Sequence, residues 1–226
     1  MTMSELSDDP PFFDLVGQVR AMRRLKPDPV PLELIRKVLQ AGVQASSGAN
    51  AQPWRFIAVH SKERRDWFGE RYKAAMYKGY GAFFNPDPAD KSTAAGTARA
   101  AKHQADHMGE TPVILLVAGK RDWPFKVPES ERVGLAPPNY GSVYPCVQNI
   151  LLACRSLQLG AALTTMHQLF EDELHAYFDI PDEYGVVVSI PIGYPKGRFG
   201  PVTRIPASEK TYFDTWDNDD ASDWEL

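Results

Sequence analysis

Cysteine is scarce in this chain: only Cys146 and Cys154 occur in 226 residues. They lie eight positions apart in a segment patterned as one helix, a rise of about 12 Å, too far for a disulfide between them. A disulfide scaffold is thereby excluded, and both thiols read as buried side chains of a cytoplasmic protein. Long apolar runs are missing too. None reaches the roughly 18–20 residues needed to span a bilayer, and the N-terminal MTMSELSDDPPF is acidic where a secretory leader would be basic and then apolar. No glycine-rich strand-to-helix loop of the Rossmann or P-loop kind is present, nor a G-x-S-x-G elbow. His103 and His107 have metal-capable spacing but lack the intervening Glu of H-E-x-x-H, so no metal is expected. Charge of one sign is weak as well. The net charge is −4, and seven acids against Lys210 from Ala207 onward leave the preceding body at +2. That body suits an anionic small ligand and falls far short of a nucleic-acid footprint.

With 43% hydrophobic and 24% charged residues, the composition is that of an ordinary globular chain, and its length fits one domain over residues 1–226. Residues 1–12 read as a loose arm and 207–226 as a C-terminal extension with an acidic end. Between them, helices are expected over Phe12–Met22, from Pro31 through Val43, over Lys62–Phe84 and Ser92–Met108, from Tyr144 to Leu159 with Gly160 stopping it, and over Gln168–Phe178. The Ser92–Met108 helix is rich in alanine and poor in apolar periodicity, as a cover over something would be. Strands are expected at Arg55–His60, at the continuous apolar run Pro112–Gly119, over Ala161–Thr165, and at Gly185–Tyr194. In the last of these, Pro191 calls for an edge position or a gap in the ladder. Asp122–Asn139, rich in proline, reads as irregular. Mixed helices and strands without βαβ alternation point to an α+β layered sandwich.

Four segments carry a family likeness: Arg20-Ala-Met-Arg-Arg-Leu-Lys-Pro-Asp-Pro-Val-Pro31, Ala45-Ser-Ser-Gly-Ala-Asn-Ala-Gln-Pro-Trp54, Leu159-Gly160 running into Leu163-Thr-Thr-Met166, and Ile192-Gly-Tyr-Pro195 with Arg204-Ile-Pro206. In this order and spacing the chain resembles the nitroreductase superfamily. The resemblance implies a three-layer α/β/α sandwich with a mixed central sheet, an intertwined homodimer, and FMN at the dimer interface. It further implies hydride transfer from NAD(P)H to a small organic acceptor by a ping-pong mechanism. Other flavin chemistry on the same fold, including reductive dehalogenation, and non-enzymatic flavin binding are the alternative readings.

The same resemblance assigns residues. FMN has a phosphate dianion and a ring whose N1/O2 edge becomes anionic on reduction, and guanidinium groups suit both. Arg20 matches an FMN-binding basic position, Arg204 matches the phosphate-binding arginine, and Arg23 matches the base at the N1 edge. Ala21 stands where the family often has Ser, leaving only main chain there beside Met22, and Val19 stands where another Arg is common. Ser46 (replacing the usual Pro), Ser47, Gly48, Asn50 and Gln52 match a loop that reaches the flavin from the partner subunit. Thr164, Thr165, Met166 and His167 match groups around N5, where a hydrogen bond steers hydride acceptance. Gln104 and His107 align with ring or ribityl contacts. Trp54 reads as a core anchor. No covalent catalyst and no metal ligand is assigned.

Overall fold

The computed structural model describes residues 12–121 and 139–218. The expected loose arm, most of the irregular Asp122–Asn139 segment and the far acidic end therefore lie outside the described residues. Four strands form one sheet in the order β1-β2-β4-β3, with β1 at Trp54–Val59, β2 at Val113–Lys120, β3 at Gly160–Ala161 and β4 at Tyr184–Gly193. The helices are α1 Phe12–Val16, α2 Leu32–Gly42, α3 Lys62–Tyr80, α4 Thr93–His107, α5 Asn139–Ser156 and α6 Glu171–Phe178.

Side chains alternate across β2, and that alternation builds the layers. Val113, Leu115 and Val117 face a core completed by Ile35 and Val38 of α2 and by Val143, Val147 and Ile150 of α5. Ile114 and Leu116 face the other way, into Phe68, Tyr72 and Met76 of α3, Ala105 of α4 and Leu174 of α6. The α/β/α sandwich expected from the sequence is thus present. The sheet departs from expectation in one respect: every pairing among the described strands is antiparallel, rather than mixed.

Several boundaries also shift. The first helix stops at Val16, not Met22, because the following backbone bonds to the sheet instead: Met22 N–H donates to Ala161 O at 2.8 Å, and Leu25 bridges Pro195. The central helix α5 begins at Asn139, earlier than its apolar pattern suggests, and carries Pro145 in its second turn. Its end is set by Gln158, in the left-handed region at φ 60°, with Leu159 N–H donating back to Cys154 O at 2.7 Å. Gly160 serves instead as a point of close approach. A Cβ there would stand 2.7 Å from Leu25 Cδ2 and 3.0 Å from Met22 Cβ, so only glycine lets the 20–25 segment lie against β3.

Candidate active site

Two cavities adjoin along this 20–25 segment. The first, about 710 Å³, is lined by Arg20, Ala21 and Met22, by Arg204, and by Arg155 of α5. The second, about 720 Å³, is lined by Arg23, by Thr164, Thr165 and Met166 beyond β3, and by Gln104 of α4. Leu163 belongs to both walls. Their chemistry differs. The first cavity has three arginines and no acid among its described lining residues. The second is aromatic, with Tyr72, Tyr80, Phe83 and Phe84 on one side and the small residues Ala94, Thr97, Ala98 and Ala101 of α4 opposite; Arg23 is the one charged residue among its described lining.

The segments that carry the basic groups are tied together. Val202 N–H donates to Gly17 O at 2.9 Å, and Arg20 Nη2 donates to Arg198 O at 3.0 Å. Arg204 is exposed, and its guanidinium donates to Thr203 O at 2.9 Å. In the second cavity the buried Tyr72 hydroxyl donates to Thr164 Oγ1 at 3.2 Å. Burial raises the Tyr72 pKa, against the opposing pull of that hydrogen bond and of the Arg23 charge. Gln104 is only 5% exposed, and its Nε2 is buried with no partner. An unpaired buried amide donor costs free energy.

Nine of the sequence-assigned residues therefore line the paired cavities: Arg20, Ala21, Met22, Arg23, Gln104, Thr164, Thr165, Met166 and Arg204. Two others, His167 and His107, line neither of these cavities. The His167 side chain is fully buried in the sandwich, where Nε2 donates to Val186 O at 2.7 Å and Nδ1 faces Ser189 Oγ at 3.4 Å. Burial lowers its pKa, against the opposing effects of the Val186 hydrogen bond and the Glu171 charge. His107 is turned aside as well, pairing with Glu110 Oε1 at 2.9 Å and lying against His103, with ring centroids 4.3 Å apart.

The remaining group, Ser46, Ser47, Gly48, Asn50 and Gln52, lines neither cavity of its own chain. It forms a largely exposed loop under tension. Ala49, Asn50 and Gln52 all adopt left-handed backbone at φ 50°, 54° and 47°, a conformation that costs residues such as Ala49 and Gln52 roughly 1–2 kcal/mol each and Asn50 less. Ser47 Oγ accepts from Gln52 N–H at 2.8 Å, Gln52 Nε2 donates to Asn50 Oδ1 at 3.1 Å, and Gly48 N–H donates to Ser142 Oγ at 3.3 Å. These bonds hold the strained loop in one shape. Missing from the sequence reading were Tyr72, the aromatic wall of α3 and its following turn, and Arg155. Each sits within a helical apolar pattern, with no motif to single it out.

An α/β/α sandwich with a cationic cavity opening beside an aromatic one defines a class of cofactor-binding protein. The chain belongs to the nitroreductase family, whose profile matches residues 17–194. It is 26% identical over 182 residues to the Bacillus subtilis (strain 168) protein named "Putative NAD(P)H nitroreductase YfhC", covering 80% of this chain and 83% of that one. Iodotyrosine deiodinase of Thermotoga neapolitana is 26% identical over 200 residues, covering 87% and 94% of the two chains. Among solved structures, a nitroreductase with bound FMN from Desulfitobacterium hafniense superposes with TM-score 0.63 at 19% identity, covering 89% of this chain and 97% of that chain. That likeness speaks for the fold.

Proposed function

We propose that the protein is a homodimeric FMN-dependent oxidoreductase that moves hydride from NAD(P)H to a flat organic acceptor such as a quinone or nitroaromatic. The observation that carries this reading is the acid-free, three-arginine cavity opening directly beside an aromatic one. The residues present fit the cofactor. A phosphate dianion suits the first cavity, and an isoalloxazine ring suits the boundary between the two, with Arg23 at its pyrimidine edge and Thr164–Met166 near its N5 side. The bound FMN supplies the hydride-accepting and hydride-donating chemistry.

The chain's own residues bind, orient and exclude water. Arg20 and Arg204 fix the phosphate by charge-assisted hydrogen bonds, which are stronger than neutral ones. Arg23 favours negative charge at the ring edge. Tyr72 holds the Thr164 hydroxyl, and the aromatic wall admits nicotinamide and acceptor in turn, as ping-pong exchange requires. The exposed Ser46–Gln52 loop supplies the missing cover from the partner subunit. Two curated relatives bear nitroreductase and deiodinase names.

The test is a visible spectrum of the purified protein, chromatography of the flavin released on denaturation, and NAD(P)H oxidation with p-benzoquinone and nitrofurazone. Flavin absorbance, released FMN and acceptor-dependent oxidation are expected. Released FAD, or no flavin after incubation with FMN, overturns the proposal.

A further inference from the structure

Arg155 is out of place by ordinary burial rules. It is a guanidinium on the central helix α5 with 2% exposure. Its Nη2 donates to Gln18 Oε1 at 2.7 Å, and its Cζ stands 4.1 Å from the Phe199 ring centroid. Both partners are neutral. Its Nε and Nη1 are buried with no hydrogen-bond partner, and no ion pair of Arg155 is found among the described residues. A buried charge carries a desolvation cost unless an opposite charge compensates it. A leucine or methionine would fill the same helix face without that cost.

What the residue touches points to the missing compensation. Gln18 is two residues before Arg20, and Phe199 is five before Arg204. Arg155 thus grips both segments that carry the exposed arginines, and it lines the same acid-free cavity. We propose that Arg155 is the third cation of this cavity: a positioning residue that clamps Gln18 and Phe199 together and whose uncompensated buried charge is matched when a phosphate monoester enters. The inference rests on the phosphate end assigned above. It adds that discrimination for a phosphorylated over a neutral flavin is built into the protein interior as well as its surface arginines. In the flavin-free protein the buried charge is a liability, and in the loaded protein it is an asset.

The test compares FMN with riboflavin, which lacks only the phosphate, by fluorescence-quenching titration of flavin-free protein. Arg155→Met is expected to weaken FMN at least ~10-fold, the scale of one lost charge interaction, and to leave riboflavin affinity within ~3-fold. The melting temperature of the flavin-free variant should be unchanged or higher, while the increment produced by FMN shrinks. Arg155→Gln, which keeps a donor for Gln18 and removes the charge, should show the same split and serves if the Met variant does not fold. Arg155→Lys should recover part of the preference. Equal weakening of both flavins marks a packing role and overturns the proposal, as does unchanged FMN affinity. Failure of the wild-type protein to bind either flavin would instead overturn the parent reading, so the two failures are distinguishable.

Discussion

Arg204 and Arg23 stand in different cavities and face different parts of the proposed cofactor, so removing each should have a different consequence. A phosphate bears the same charge in both redox states. Arg204→Ala is therefore expected to weaken FMN binding and leave the reduction potential near its starting value. Charge at the N1 edge develops on reduction, so Arg23→Ala should lower the potential in addition. Loss of a charge-assisted hydrogen bond costs about 1.5–3 kcal/mol. About 30 mV corresponds to 1.4 kcal/mol for a two-electron couple, so a fall of some tens of millivolts is expected. Potentials measured on both FMN-loaded variants decide it, and equal shifts would show that the two bases are assigned to the wrong ends.

The two cysteines give a prediction that is independent of the cofactor. Burial raises the pKa of Cys146 to about 11 and of Cys154 to about 12, from an ordinary 9.0. Both are free thiols in the helical core. A group whose folded pKa is raised contributes stability that is fully present below its unfolded pKa and is lost as pH rises through the folded value. Stability should thus decline from about pH 9 upward, and in Cys146→Ser/Cys154→Ser protein that part of the alkaline decline should vanish. Thiolate, not thiol, is the nucleophile. A thiol reagent at pH 8 should therefore label neither residue in the native protein and both after denaturation; rapid native labelling would contradict the buried placement.

At the scale of elements, the site depends on how the 20–25 segment docks on β3, and Gly160 governs that docking. Gly160→Ala places a methyl group where Leu25 and Met22 now sit. Overpacking of this kind costs typically 1–3 kcal/mol. Because Arg20 and Arg23 ride on the displaced segment, FMN affinity should fall along with stability. Urea denaturation and FMN titration of the one variant check both effects, and a destabilised protein with wild-type affinity would mean that the segment does not position the arginines. The sequence marked Gly160 as important but for another reason, as a helix stop. Its role arises from contacts with residues more than a hundred positions away, which no local pattern encodes.

Pro191 shows the opposite case, in which a local rule was correct and the geometry chose between its outcomes. β4 is an interior strand, flanked by β2 and β3, so the edge reading fails. The gap reading holds. Ser189 exchanges both backbone hydrogen bonds with Thr164, and β3 pairs only through Gly193 and Ile192. The alternation of a strand turns the absent N–H of Pro191 to the same side as Ser189, into the interval between those contacts. The apolar run of β2 was readable because it is buried on both faces. The end of the first helix was not, because Val19–Met22 keeps a helix-compatible composition while the Met22 N–H bonds to Ala161 of the sheet. The arginine motifs were legible because their chemistry is local. Arg155 and Tyr72 were hidden inside helical apolar periodicity, which codes for burial and is silent on what the buried group faces.

At the scale of the whole molecule, the single chain leaves large apolar side chains uncovered: Phe13 is 85% and Trp216 83% exposed, and Leu32, Tyr144, Leu169 and Ile205 are also exposed. Scattered apolar residues are normal on a surface, but these accompany a strained loop that lines neither of the two cavities described above. In the dimer proposed above, the Ser46–Gln52 loop reaches the partner's flavin site. The arrangement is testable by complementation. Arg204→Ala should disable the phosphate end, and Gly48→Asp should disable the loop by adding bulk and negative charge. If each site takes its arginines from one chain and its loop from the other, a mixed dimer has one site with both defects and one with neither. Co-expression at equal levels should then restore about a quarter of the wild-type high-affinity FMN sites, because half of randomly assorted two-fold dimers are mixed and each has one intact site. Either variant alone should show almost none. Sites built within one chain would give no recovery on mixing, since every arginine-defective and every loop-defective chain would stay defective whatever its partner.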